Sequence, residues 1–374
     1  MKNDDVFNKL AEHLLSLGMG YPPGEFLDLI LRDNFTPLEA EVALAMPNKI
    51  IPLQTVPIEE IAKSSDLTKD NLEKTLENLV QKGLIYSGQT EDGQKGYALQ
   101  QVGFGFPQSF FWGNEDTDQL RDLSYKIARY FNTATTKEAY GPTPTKAFRF
   151  VPVKESIEFD LQSVYPYQIM DSVIEKAKVI ALAHCACRVG ARLAGGGCDC
   201  PTEVCMKFDE MAEYVLNRGL ARKISKDEAL DVIKLSQDNN LVHFVDNAIG
   251  DVKHNCNCCG HSCWSVTRIR KRKIPRDLIM ATYFIRATDE GNCTGCGDCI
   301  DVCPVEALSL EDGMAKVEED WCIGCGICIS KCSFDACRMI VRPDKEDEIP
   351  ASSFKTLHEQ ILKERGLKLS KPDI

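Results

Sequence analysis

Along the N-terminal third, apolar residues recur first at helical spacing and then at strand spacing. Thr36-Pro37-Leu38-Glu39 reads as a capping box with proline at the first helical position. A short helix is expected from Pro57 to about Lys63. A longer one should start at Thr68, with Leu72, Leu76, Leu79 and Val80 on one stripe and Gly83 as the stop. Leu84-Ile85-Tyr86 and Tyr97-Ala98-Leu99, separated by a turn rich in Gly and Asp (Gly88 to Gly96), predict a strand pair. The aromatic run from Phe104 to Trp112 reads as core filling, and residues 116–131 as an amphipathic helix with Leu120, Leu123 and Ile127 inward. Further on, Val179–Ala183 and Leu241–Val245 read as buried strands. A helix should start near Cys205, showing Phe208, Met211 and Val215 on one face and ending before Gly219. Ser225 and Glu228 should cap another that carries Leu230, Val232 and Ile233. A last helix over Ser352–Arg365 turns Phe354, Leu357 and Ile361 to one side.

These elements predict an α+β multidomain chain. Residues 1–112 are expected to form a winged-helix-like domain and 113–160 a helical linker. A cysteine-rich α/β domain is expected over 161–282, a C-terminal domain of the ferredoxin type over 283–341, and a tail helix over 342–374. A winged helix invites a DNA-binding reading, and charge argues against it. Residues 1–112 carry nine basic and sixteen acidic side chains, and the whole chain has a formal charge of −12. DNA binding depends on neutralising phosphates, which this surface would repel. The N-terminus lacks an apolar signal core and no long apolar run follows, so the expected location is the cytoplasm. Membrane association would be peripheral, through a partner.

The chain has 18 cysteines, none before Cys185. Clustered thiols in a long chain read as metal ligands in a reducing compartment rather than as a disulfide framework. Two runs near the C-terminus repeat one spacing: Cys293, Cys296, Cys299, Cys303 with Pro304, and Cys322, Cys325, Cys328, Cys332. C-x2-C-x2-C-x3-C twice, over about Tyr283 to Val341, resembles the two-cluster ferredoxin of bacteria. Gly295, Gly297, Gly324 and Gly326 let the backbone curl, and Ser333 stands where that family has a second proline. The resemblance implies two [4Fe–4S] clusters. One takes Cys293, Cys296, Cys299 and Cys332; the other takes Cys322, Cys325, Cys328 and Cys303. The fourth cysteine of each run is expected to open a helix. Zinc hooks usually come in pairs over a longer loop, whereas three hooks come together here. Cys337 lies outside the pattern and reads as a buried spare thiol.

Nine more cysteines fall between 185 and 263. If the strands Val179–Ala183 and Leu241–Val245 lie side by side and parallel, both groups could emerge at one edge of a small sheet. Cys205 would then stand at a helix N-terminus, which favours a thiolate. The candidate ligands for a further iron–sulfur cluster are Cys185 or Cys187, Cys205, Cys256 and Cys259, with Cys198, Cys200, Cys258 and Cys263 as alternatives. Zinc and a thiol/disulfide pair are the competing readings. Arg188, Arg192, His184, His254 and His261 could donate hydrogen bonds to cluster sulfurs. Arg268 to Arg276 packs six positive charges into nine residues, by default a solvated face, or else a device to tune clusters or steer an acidic partner.

The whole chain also resembles a set of anaerobe proteins that combine these parts. The matching residues are His184-Cys185-Ala186-Cys187-Arg188, Glu203-Val204-Cys205 and Cys256-Asn257-Cys258-Cys259. That resemblance implies iron–sulfur binding and settles no substrate. Neither a phosphate-binding P-loop nor a dinucleotide fingerprint occurs. The expected function is single-electron transfer to a partner oxidoreductase. The alternatives are a reductase with a catalytic cluster in the middle domain, a redox-sensing regulator, and a reductive activator of a metalloenzyme.

Overall fold

The computed structural model describes residues 2–368. Three helices, Lys2–Leu15, Glu25–Asn34 and Pro37–Ala45, open the chain. Thr36 caps the third: its side chain accepts from Glu39 N, and the Glu39 carboxylate accepts from Thr36 N at 2.7 Å. The same buried carboxylate receives Lys82 Nζ at 2.7 Å, which ties this helix to Lys69–Lys82. Leu72, Leu76, Leu79 and Val80 are buried along Lys69–Lys82, and Gly83 ends it with a φ of 75°. Strand β1 (Val56–Pro57) leads to the short helix Ile58–Ala62. Strands β2 (Ile85–Gln89) and β3 (Lys95–Leu99) form an antiparallel hairpin, with β1 on the far side of β3. The hairpin packs on the middle of the molecule. The Tyr86 ring lies 4.9 Å from that of Tyr214, and Arg218 donates to Gln81 O.

The aromatic segment is core. Phe104, Phe106, Phe111 and Trp112 are all buried. The amphipathic helix runs Asp118–Tyr130, buries Leu123, Ile127 and Tyr130, and packs against both Glu25–Asn34 and Ala186–Leu193.

Six strands make the central sheet: β4 (Phe148–Val151), β5 (Ile180–His184), β6 (Glu203–Phe208), β7 (Arg222–Lys223), β8 (Val242–Asp246) and β9 (His254–Cys258). Their order is β4-β8-β9-β6-β5-β7, and every pairing is antiparallel. This corrects the sequence reading in three places. The strands over 180–184 and 242–246 are not parallel neighbours, because β9 and β6 lie between them. Cys205 sits in strand β6 and not at a helix N-terminus. Val204, Met206 and Phe208 alternate into one core while Cys205 faces the other side. The helix starts only at Asp209, whose carboxylate accepts the Lys178 and Val179 amides. And β4 falls in the stretch expected to be a helical linker, so the sheet unit begins before residue 161. In helix Lys226–Asp238, Ser225 accepts from Glu228 N, but Leu230 is exposed and Ala229 takes the inward place.

Strands β10 (Phe284–Thr288), β11 (Leu308–Glu311), β12 (Met314–Val317) and β13 (Cys337–Val341) form two antiparallel pairs, β10 with β13 and β11 with β12. The short helix Asp298–Asp301 precedes Cys303, so Cys303 closes a helical turn rather than opening one. Lys271 and Lys273 of the basic run are exposed, but its arginines are engaged. Arg270 pairs with Glu306; Arg272 pairs with Glu318 and donates to Val305 O and Glu306 O. The buried Arg276 donates to Glu319 O and Cys322 O. These arginines clamp the C-terminal unit to the body. The tail helix, Phe354–Glu364, buries Phe354, Leu357 and Ile361 as its spacing predicts. One apolar core runs through the N-terminal helices, one face of the sheet, and Val305, Ile323 and Ile327 of the C-terminal unit. Among the described residues, no helix is long and apolar enough to cross a membrane.

Arg149 on β4 is fully buried and donates to the carbonyls of Asp246, Ala248 and Tyr167. Arg149→Leu takes this donor from all three, and only Asp246 O keeps another partner, the Ala248 amide at 2.8 Å. The substitution should lower stability by about 3 kcal/mol, read as a fall in the thermal unfolding midpoint; an unchanged midpoint would contradict this account.

Candidate metal centres

The C-terminal unit encloses two small pockets. Cys303, Cys322, Cys325 and Cys328 line one, together with Pro304 and Ile323. Cys293, Cys296, Cys299 and Cys332 line the other, beside Ala315 and Phe334. Each pocket gathers three thiols from one run and a fourth from the other. The loops can bend this tightly because Gly295, Gly297, Gly324 and Gly326 all have positive φ. Backbone amides point at the sulfurs: Ala315 N to Cys293 Sγ at 3.4 Å, Ala307 N to Cys303 Sγ at 3.3 Å, and Ala336 N to Cys332 Sγ at 3.4 Å. Such donors lower the Cys293 thiol below its ordinary value, whereas burial pushes Cys325 far up. Thiols crowded against apolar walls ionise together only when a multiply charged cation takes up their charge. This donor set, with its amides and glycine loops, fits a thiolate-ligated cluster.

Arg286 lines both pockets, with Nη2 3.9 Å from Cys299 Sγ. Sequence reasoning passed it over. Its signal was an arginine inside an otherwise apolar strand. Cys337 is buried on β13 in contact with Cys332 and Arg286, and lines neither pocket.

The nine middle cysteines separate into two groups. Six line a single cavity: Cys185 after β5, Cys187 in helix Ala186–Leu193, Cys205 on β6, Cys256 and Cys258 on β9, and Cys263. They form a chain of sulfur contacts, from Cys185 to Cys187, then Cys263, Cys258, Cys256 and Cys205. Hydrogen bonds from their neighbours hold the Cys256 and Cys263 thiols well below the ordinary value, while Cys187 and Cys258 lie well above it. Trp112, Tyr140, Phe148, Phe244 and Trp264 complete the walls. The cavity volume is about 60 Å³, three times the about 20 Å³ of either C-terminal pocket.

Two cations face these sulfurs. Lys207, 3% exposed, has its ammonium 4.5 Å from the Trp112 ring centre and lies beside Cys205 and Cys256. His254 contacts Cys256 on one side, and its Nδ1 lies 3.0 Å from the fully buried Asp246 carboxylate. Burial alone would lower the His254 pKa; the Asp246 charge overrides it and raises it to about 9. Lys207 was not among the sequence candidates. The alternation of Cys205 and Lys207 with Val204, Met206 and Phe208 was the signal for it.

The remaining three, Cys198, Cys200 and Cys259, have their sulfurs within 4.8 Å of one another. Of the candidate set Cys185 or Cys187, Cys205, Cys256 and Cys259, the cavity therefore includes all but Cys259. Cys258 and Cys263, expected as alternatives, face the cavity instead. The cause is local: Cys258 ends β9, and the next residue turns to the opposite core. Of the basic candidates, Arg188 and His254 reach thiols. His184 bonds Thr202, Arg192 bonds Asn114, and His261 is exposed.

The loop between the cavity cysteines Cys258 and Cys263 rests on a residue that lines one C-terminal pocket. Gly260, between Cys259 and Cys263, packs so closely on the loop after Cys303 that a β-carbon there would come 2.0 Å from Pro304 O.

The family model of a 4Fe-4S dicluster domain matches residues 286–333. The chain is 56% identical to ferredoxin-2 of Desulfomicrobium norvegicum over 27 residues, which are 7% of this chain and 46% of that protein. It is 61% identical to a probable ferredoxin of Methanosarcina thermophila over 28 residues, 7% of this chain and 48% of the other. With ferredoxin-3 of Desulfocurvibacter africanus it shares 59% over 27 residues, 7% and 44% of the respective chains. The chain thus spans a little under half the length of these relatives. No solved structure matches it. The C-terminal unit is a ferredoxin-like dicluster domain, and it supports an iron–sulfur electron-transfer role.

Gly324 and Gly297 separate strain from clash. Alanine at either carries about 1 kcal/mol of left-handed strain. Only at Gly324 would the new carbon also strike backbone, 2.0 Å from Phe284 O, whereas Gly297 faces open space. Gly324→Ala should therefore lower the unfolding midpoint and iron retention more than Gly297→Ala. Equal losses would count against the loop geometry.

Proposed function

We propose that this protein is an iron–sulfur electron-transfer protein whose C-terminal domain exchanges single electrons with a partner redox protein and with a further iron–sulfur centre in the six-thiol cavity. The observation that carries the reading is a contact between the two units: the loop from Cys258 to Cys263, both of which line the cavity, abuts at Gly260 the backbone of Pro304, which lines a C-terminal pocket. In the ferredoxin-like domain, Cys293, Cys296, Cys299 and Cys332 would hold one [4Fe–4S] cluster, and Cys303, Cys322, Cys325 and Cys328 the other. When bound, such groups supply one-electron redox chemistry. The third centre would take its ligands from Cys185, Cys187, Cys205, Cys256, Cys258 and Cys263. Lys207 and His254 offset the negative charge of that thiol set.

Exposure gives the domain a direction. Cys296 is exposed, whereas Cys325 is buried next to the body. A partner would therefore approach the Cys296 side. The N-terminal helices and hairpin support a winged-helix reading with a structural rather than DNA-binding use. Its hairpin is taken up by Tyr214, the end of helix Lys69–Lys82 by Arg218, and Lys69 and Lys82 are paired with Glu59 and Glu39. We place the domain limits near 1–112, 148–282 and 283–341, with the helices between and the tail packed on them. A cytoplasmic, reducing setting suits this number of unpaired thiols.

One observation favours a second reading. Six thiols exceed the four that one cubane needs, and two buried cations face the same space. A centre there with an exchangeable position would make the protein a reductase.

Iron and acid-labile sulfide per chain, on protein purified without oxygen, test the proposal. About twelve of each are expected, falling to about eight in Cys256→Ser. About eight in the wild type, unchanged by that substitution, would remove the cavity centre and leave the ferredoxin-like domain alone.

A further inference from the structure

Cys198, Cys200 and Cys259 stand apart from every pocket assigned above. Their sulfurs lie within 4.8 Å of one another, and Cys198 Sγ is 3.6 Å from Cys259 Sγ. This spacing, for three thiols set apart from the six of the cavity, suits a single shared ion. Zinc–thiolate bonds of about 2.3 Å in a tetrahedron put sulfurs about 3.8 Å apart. A cubane binds each thiolate to a different iron and spreads them much further. Three thiols this close fit one ion.

Independent features point to the same spot. Ser262 Oγ lies 3.5 Å from Cys198 Sγ, and Ser262 N donates to Cys259 Sγ at 3.3 Å. Arg188, 1% exposed, has its guanidinium between this trio and the cavity, close to Cys185 and Cys258 as well as beside Cys259. Its Nη1 donates to Asn257 O, but Nε and Nη2 have no hydrogen-bond partner. A buried cation with two unpaired donors needs a negative group nearby. Three thiolates around a divalent cation carry a net charge of −1, which Arg188 would balance. The hook Cys198-Asp199-Cys200 is presented by a turn in which Gly195 and Gly197 take positive φ.

We propose that Cys198, Cys200 and Cys259 form a separate tetrahedral zinc site, with the fourth position filled by the Ser262 hydroxyl or water. Binding releases the thiol protons and changes no oxidation state. The ion ties the 198–200 loop to the Cys259–Cys263 loop, the same loop that forms a wall of the six-thiol cavity and rests on Pro304. Its role is to hold the 198–200 loop in place. The inference does not depend on what the cavity holds.

The test uses the full chain purified without oxygen and with zinc in the growth medium. About one zinc per chain is expected, and zinc X-ray absorption should show three sulfurs at about 2.3 Å and one lighter ligand. Cys200→Ser should remove the zinc and leave iron and labile sulfide unchanged. Cys263→Ser should keep the zinc, whatever it does to the iron. Absence of zinc from the wild type, four sulfurs around it, or loss of iron with Cys200→Ser would each overturn the site. The absorption measurement needs only the wild type, so it decides even if Cys200→Ser does not fold. Zinc content reports on this site and iron content on the cavity, so the two can fail separately.

Discussion

The antiparallel pairing of β6 with β9 is the constraint on which the middle of this molecule depends. Met206 pairs with Asn255 and Lys207 with His254. The same register carried one step further sets Cys205 against Cys256. Pairing of β8 with β9 places Val242 beside Cys258 and Phe244 beside Cys256. Because side chains alternate along a strand, Cys205, Lys207, His254, Cys256 and Cys258 all reach one face. A slip of one residue would turn the whole set into the opposite core, where Val204, Met206 and Phe208 now pack.

Charge follows from that geometry. Crowded, desolvated thiols resist ionisation, and the fold answers with buried cations placed among them. Lys207 and His254 face the six-thiol cavity, Arg188 lies by Cys259, and Arg286 stands between the two C-terminal pockets. His254 is held in turn by Asp246, whose carboxylate also accepts the Lys253 and His254 amides. An unpaired charge so deeply buried would be costly. The thiols and the cations each make the burial of the other tolerable.

The arrangement of units matters as much as their contents. Arg270 and Arg272 hold the Val305–Glu306 turn of the C-terminal unit, and Arg276 holds the loop that carries Cys322. Gly260 lets the cavity loop lie directly on Pro304. A ferredoxin-like domain that could otherwise be an independent carrier is here built into a common core with the sheet and the N-terminal helices.

What the sequence by itself determined is what short spacing can encode. The doubled cysteine pattern marked the C-terminal domain, since three hooks two residues apart have to lie in one tight loop. Helix stripes such as Leu72, Leu76 and Leu79, and the cap at Thr36, depend on contacts within one or two turns. The middle cysteines were recognisable as ligands but not sortable. Cys258 and Cys259 are neighbours in the chain yet face different cores, and Cys205 meets Cys256 across fifty residues. The 3.6-residue recurrence of Phe208, Met211 and Val215 suggested a helix at Cys205, while strand pairing with β5 and β9 claimed that segment for the sheet. The basic run likewise gave no hint of its distant carbonyl partners, which lie 33 to 137 residues away. Only tertiary structure decides such matters, because strand order and register are set by burial summed over the whole sheet, and no local window contains that sum.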